Sequence, residues 1–294
     1  MIRKFAPIAL LAACASDYKV SSRSDVEPGI SDIFDTGISD EPEDTGDEEI
    51  IDPDAPVAVC DVTPDKVRPI VENARWVGSE SYDPNDLAIT TYRWTLVDKP
   101  IGSASTMPSG TTPDLGGFTP DLAGDYVGRL VVSNEAGVSS DPCETTLTAE
   151  PVEAMWIEMF WENSGDDMDL HLLAPGGTLN QDTDCYYGNC TPSSWTGGLD
   201  WGVIGDTSDD PTLDLDDISL TGPENINIEA PEDVTYTVVV HDYPGSVFTA
   251  ANAVTVNIYL DGSLEWTDTR MISGEDSNTY FANINVSEGI VESL

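Results

Sequence analysis

From residue 57 onward, apolar and polar residues alternate with a period near two, and no stretch carries a helical period. In ITTYRWTLV (89–97) the alternation places Tyr92, Trp94 and Leu96 on one face of a strand. DYVGRLVVS (125–133) alternates similarly, and residues 134–137 supply the turn that follows. Further on, MWIEMFW (155–161) is apolar at most positions, and residues 167–173 set Met168, Leu170 and Leu172 on one side. TYTVVVH (235–241) and AVTVNIYL (253–260) show the clearest period. Asp261-Gly262 is a hairpin turn leading into 263–271, and TYFANINV (279–286) closes the set. Short strands with regular turns predict an all-β chain: one β-sandwich over 57–150 and a second, antiparallel and jelly-roll-like, over 151–294.

The first 56 residues carry a different pattern. MIRKFAPIALLAAC (1–14) has a basic start and a short apolar run, well below the ~20 residues that a spanning helix needs. Its end, Leu11-Ala12-Ala13-Cys14, resembles a bacterial lipobox. That resemblance implies lipid on Cys14 and a membrane as partner. Ala15 after the cysteine leans towards the outer membrane, so the expected location is the outer membrane or cell surface of a Gram-negative bacterium. Residues 15–56 are rich in Asp, Glu, Ser, Gly and Pro without apolar period, which predicts a disordered, self-repelling acidic tether.

Charge narrows the partners. The chain holds 55 acidic against 11 basic residues, a formal charge of -44. Such a field repels phosphate backbones, so nucleic acid is excluded as a partner, whereas divalent cations are attracted. The sequence has no HExxH, GxSxG, Walker A or GxGxxG motif, and its histidines are His171 and His241. Nothing there points to an enzyme.

GSESYDPND (78–86), TYRWTL (91–96) and FTPDLAGDYVGRLVVSNEAG (118–137) together resemble the polycystic-kidney-disease (PKD) type immunoglobulin-like domain. Trp94 matches that family's core tryptophan and Tyr126 its strand tyrosine. Thr-Leu-Val follows the tryptophan where the commonest form has a Phe-Gly-Asp-Gly turn. The resemblance implies an immunoglobulin-like first sandwich serving as a spacer or adhesion-type module. The remainder, from DMDLHLLAPGG through CYYGNC, GGLDW and GPENINIEAP to TYTVVVHDY, resembles an uncharacterised β-sandwich module of bacterial envelope proteins; it implies architecture and location only.

Five cysteines leave four once Cys14 is lipidated, and four allow three pairings. Order and exposure favour Cys60–Cys143 across the first sandwich and Cys185–Cys190 as a local loop. Both need an oxidising compartment, in keeping with export.

The candidate chemistry lies in residues 165–231. Asp167 and Asp169 sit two apart on a strand and share a face, which His171 continues. A long loop adds Asp206, Asp209, Asp210, Asp214, Asp216 and Asp217, with Glu224 after a Gly-Pro turn. Calcium takes six to eight oxygens from such groups. The site expected here is therefore Ca2+ held by Asp167, Asp169, Asp206, Asp209, Asp210, Asp214, Asp216 and Asp217, weighed against a merely solvated acidic loop. A carboxylate-dependent hydrolase has the right residue type but no diagnostic spacing. A smaller cluster, Asp83, Asn85 and Asp86, reads as a self-bonded turn. Trp195 and Trp201 lie in loops and are candidates for stacking on a ligand. The function expected is a non-enzymatic binding or adhesion module with an unidentified protein or glycan partner; the alternative is a carbohydrate-binding module.

Overall fold

The computed structural model describes residues 55–192, 198–218 and 220–294, which belong to one compact unit. Cys14, the tether up to residue 54 and Trp195 lie outside the described residues. The fold is all-β, and the only helical element among the described residues is a single 3-10 turn at Val286–Glu288.

The first sandwich is built from β1 (Asp61–Thr63), β2 (Lys66–Val67), β3 (Ala74–Val77), β4 (Ile89–Asp98), β5 (Leu115–Phe118), β6 (Gly124–Asn134) and β7 (Cys143–Ala149). One sheet runs β1-β3-β5 and the other β2-β7-β6-β4. Between them Trp76, Trp94, Phe118 and Tyr126 pack edge to face or tilted, with ring centroids 5.4–5.9 Å apart. Offset aromatic geometry of this kind adds to area burial. The buried Tyr126 hydroxyl accepts the Leu122 amide at 3.0 Å and lies 3.0 Å from an Asp121 carboxylate oxygen. Gly128 sits mid-strand because a Cβ there would come within 2.5 Å of the Trp76 ring. Cys60 and Cys143 are bonded. Cys143 opens β7, and CETTLTA pairs with β6 along its whole length. Asp83 accepts the Asn85 amide and the Asn134 side-chain amide, both at 2.8 Å, so that turn is self-bonded as expected.

The second sandwich contains β8 (Met155–Trp161), β9 (Met168–Leu173), β10 (Asp184–Cys185), β11 (Thr212–Leu215), β12 (Glu224–Ile228), β13 (Thr235–Asp242), β14 (Asn252–Leu260), β15 (Ser263–Ile272), β16 (Ser277–Asn285) and β17 (Ile290–Ser293). All of its pairings are antiparallel, in sheets ordered β10-β9-β13-β16-β17 and β11-β12-β8-β14-β15. The inward faces of both sheets meet in one apolar core, with Ile157, Met159, Leu170, Leu172, Val238 and Val256 fully buried. Asp261 and Gly262 both have positive φ, which suits the tight β14–β15 turn. On one side Arg270 of β15 reaches across to the backbone oxygens of Tyr280, Phe281 and Leu294, closing the gap between the sheets.

Strand β8 is buried at every position, which a strand with one solvated face would not be. Its second face is covered by the first sandwich. Glu158 accepts the Ala123 amide, and Gly102 lies directly against the Phe160 ring.

Candidate functional site

Asp169, His171 and Leu173 share the face of β9 opposite the core, because Met168, Leu170 and Leu172 alternate into it. Asp169 and His171 therefore share a face, yet both are buried. His171 Nδ1 lies 2.8 Å from Asp184 Oδ2, and the ring stacks on Tyr186 at 5.3 Å. His171 is thus buried and held through Nδ1, while its Nε2 is buried without a hydrogen-bond partner. His241 likewise contacts Asn278 Oδ1 at 3.0 Å.

Strand β10 pairs only with Leu172 and Leu173, which leaves the 168–171 half of β9 as an edge. Glu224, at the start of β12 in the opposite sheet, comes up to that edge and accepts the Leu170 amide through Oε2 at 2.7 Å. Asp216 arrives from the loop between β11 and β12. That loop is pinned by Asp217, whose carboxylate accepts the Leu220 and Gly222 amides at 3.2 and 2.9 Å.

The result is a cluster of three carboxylates, Asp169, Asp216 and Glu224, with one oxygen of each within 4.8 Å of the others. Asp169 is 3% exposed and Glu224 1%. Asp169 Oδ2 and Glu224 Oε1 are buried with no donor from the rest of the chain, and the Glu224 and Asp216 carboxyls lie within hydrogen-bonding reach of each other. A buried carboxylate oxygen with nothing to bind is costly. Burial first, and then Asp167 and Asp216 alongside, pushes the Asp169 carboxyl up to about 8. Glu224 is raised well above its ordinary value by burial and then by Asp169. Asp167, half-buried beside them, is pushed up to about 6 by burial and the charges of Asp216, Asp166 and Asp217. Asp167, Asp169 and Asp216 line a pocket of about 260 Å3 whose other walls are Tyr187, Ile218 and Tyr243.

A cation bonded to oxygen at about 2.3–2.6 Å, as calcium is, bridges oxygens up to roughly 5 Å apart. The three carboxylates fall inside that span, and carboxylate oxygens are donors such an ion takes.

The remaining aspartates of the expected set do not converge here. Asp206 is exposed and accepts the Ser208 amide and hydroxyl. Asp209 and Asp210 accept the Val203 and Trp201 amides, folding the 200–210 turn onto itself. Asp214 accepts the Asn227 side-chain amide at 3.0 Å, and Arg68 and Glu153 are its charged neighbours. None of them lines the pocket, although Asp209 Oδ1 is also buried without a hydrogen-bond partner. Trp201 is half-buried, stacks on Tyr236 at 6.0 Å and donates to the Asp182 carbonyl, so one ring face belongs to the core. Tyr187 and Tyr243, which flank the pocket instead, carry no periodic signal; the adjacent aromatic pair in DCYYGNC (184–190) is the one hint in the sequence. Cys185 and Cys190 close that segment as a disulfide.

No protein-family model matches this chain, and comparison with curated proteins finds no match.

Proposed function

We propose that this chain is an exported, lipid-anchored cell-envelope protein whose second sandwich is a non-enzymatic binding module held in shape by calcium. Cys14 would carry the lipid and the acidic tether would hold the folded part away from the membrane. The first sandwich, read by motif as PKD-type, would act as spacer. The observation that carries the calcium reading is the convergence of Asp169, Asp216 and Glu224, with a buried oxygen on each of Asp169 and Glu224 that no other group of the chain donates to. The two disulfides fit an oxidising compartment and so favour export.

The test is a thermal melt of the full chain, disulfides intact, with calcium and with EDTA. A ligand bound only by the folded state, at 100 times its dissociation constant, adds about 2.7 kcal/mol, a plain rise in Tm. No rise would discard the calcium reading and leave the acidic loop as solvated charge. For the anchor, labelled palmitate should be incorporated by the wild type and not by Cys14→Ser.

A further inference from the structure

We propose that the pocket above the carboxylate cluster binds a neutral carbohydrate, through a vicinal diol that completes the coordination of calcium and a ring face that packs on Tyr187 and Tyr243. This inference rests on the calcium reading above. Asp169, Asp216 and Glu224 offer only part of a shell of six to eight oxygens. The rest must come from the side that is open. That side is the 260 Å3 pocket, floored by Asp167, Asp169 and Asp216.

Charge selects the class of ligand. Four carboxylates, Asp167 included, around one dication leave a net charge of about −2 when all are ionised. A phosphate or carboxylate ligand would meet that field as a like charge. Neutral hydroxyls would not: their oxygens ligate the ion while their protons are donated to carboxylate oxygens.

The walls select it further. Tyr187 is 38% exposed, Tyr243 40% and Ile218 67%. The tyrosine rings meet edge to face at 6.1 Å, so they form a shaped aromatic corner and not a flat apolar patch. Aromatic rings with one apolar body and one polar tip suit a ring that has both C–H faces and hydroxyls. The corner is also held in advance. Tyr187 packs edge-on against Tyr186 at 5.3 Å, within the loop closed by Cys185–Cys190. The Tyr243 amide donates to the Asp167 carbonyl at 2.8 Å. Walls fixed before binding reduce the ordering cost of a weak ligand.

The probes are methyl α-mannoside, methyl β-galactoside and methyl α-fucoside, which differ in diol geometry, observed by saturation-transfer NMR on the full chain in calcium and in EDTA. Tm is recorded in parallel. The expected result is contact with at least one glycoside in calcium that disappears in EDTA. Tyr187→Ala with Tyr243→Ala should weaken it by about tenfold, a loss of roughly 1.4 kcal/mol, while the calcium-induced rise in Tm is kept. Should the double variant lose its cooperative melt, Ile218→Trp closes the pocket mouth and should abolish the contact with the same rise in Tm. A rise in Tm without calcium-dependent contact to any of the three glycosides overturns the sugar inference and leaves the calcium reading standing. No rise in Tm overturns both. Binding of N-acetyl-lysine methyl ester in EDTA would assign the pocket to an ammonium group and likewise overturn the inference.

Discussion

Glu158 and Ala123 belong to different sandwiches, yet the Ala123 amide donates to Glu158 Oε2 at 3.1 Å. The carboxylate is 1% exposed and also receives the Trp156 indole, the Asn257 side-chain amide and the Tyr259 hydroxyl. Burial outweighs those donors and raises its pKa above the ordinary 4.5. A carboxyl whose pKa is raised by folding contributes stability that is complete below its unfolded value and is lost as pH climbs through the folded one. Stability is therefore expected to decline from about pH 4.5 upward. Glu158→Gln should flatten that decline. It should also cost roughly 1–3 kcal/mol, because its amide group would face donors. Urea melts at a series of pH values check both, and an unchanged slope would remove Glu158 as its source.

Asp169→Asn and Glu224→Gln separate a cation site from inert acidity. In EDTA each variant should be about as stable as the wild type, since each replaces a carboxyl whose charged form burial disfavours with a neutral amide. In Glu224→Gln the side-chain carbonyl oxygen can keep the Leu170 amide bond now made by Glu224 Oε2. In calcium each should lose most of the rise in Tm. A purely solvated loop would give no such rise to lose.

The two disulfides close loops of very different size, with sequence separations of 83 and 5. In the chain-entropy account, replacing Cys60 and Cys143 by serine should cost roughly 4–5 kcal/mol, and replacing Cys185 and Cys190 about 2 kcal/mol. Chemical denaturation of the two double variants measures the difference. Equal losses would show that native packing rather than loop closure governs them.

Gly128→Ala tests the first core. The new Cβ would lie 2.5 Å from the Trp76 ring, which is wedged against Trp94 and Phe118. Overpacking of this kind costs roughly 1–3 kcal/mol, read as a lower urea midpoint. A neutral substitution would mean that Trp76 has room to turn.

Strands whose own side chains alternate were legible in the sequence. The pattern at 89–97 became Ile89–Asp98, and that at 253–260 became Asn252–Leu260. Strands that draw their identity from neighbours were not. Glu224–Ile228 has only Ile226 and Ile228 as apolar positions, too few for a local pattern to mark it, and it is a strand because it pairs with β8 and β11 on either side. MWIEMFW looked apolar throughout for a reason no local pattern contains, namely that another sandwich covers its second face. The site divides in the same way. Asp167 and Asp169 share a face by period alone. Asp216 and Glu224 join them through a loop and an opposing sheet, whereas Asp206, Asp209 and Asp210 are consumed by amides of their own turn.

Arg270, described above as closing the gap between the sheets, also bears on how crowded copies of this chain behave. Its guanidinium lies 4.6 Å over the Phe281 ring and occupies carbonyls of Tyr280, Phe281 and Leu294. Across the fold, Glu224 occupies the Leu170 amide at the other open border. Long β15 is charged by Glu265, Asp268 and Arg270, while β10 and β17 are too short to template much. Unpaired strand borders invite copies of a protein to add to one another. Blocked in this way, these borders of the second sandwich are poor templates for intermolecular sheets.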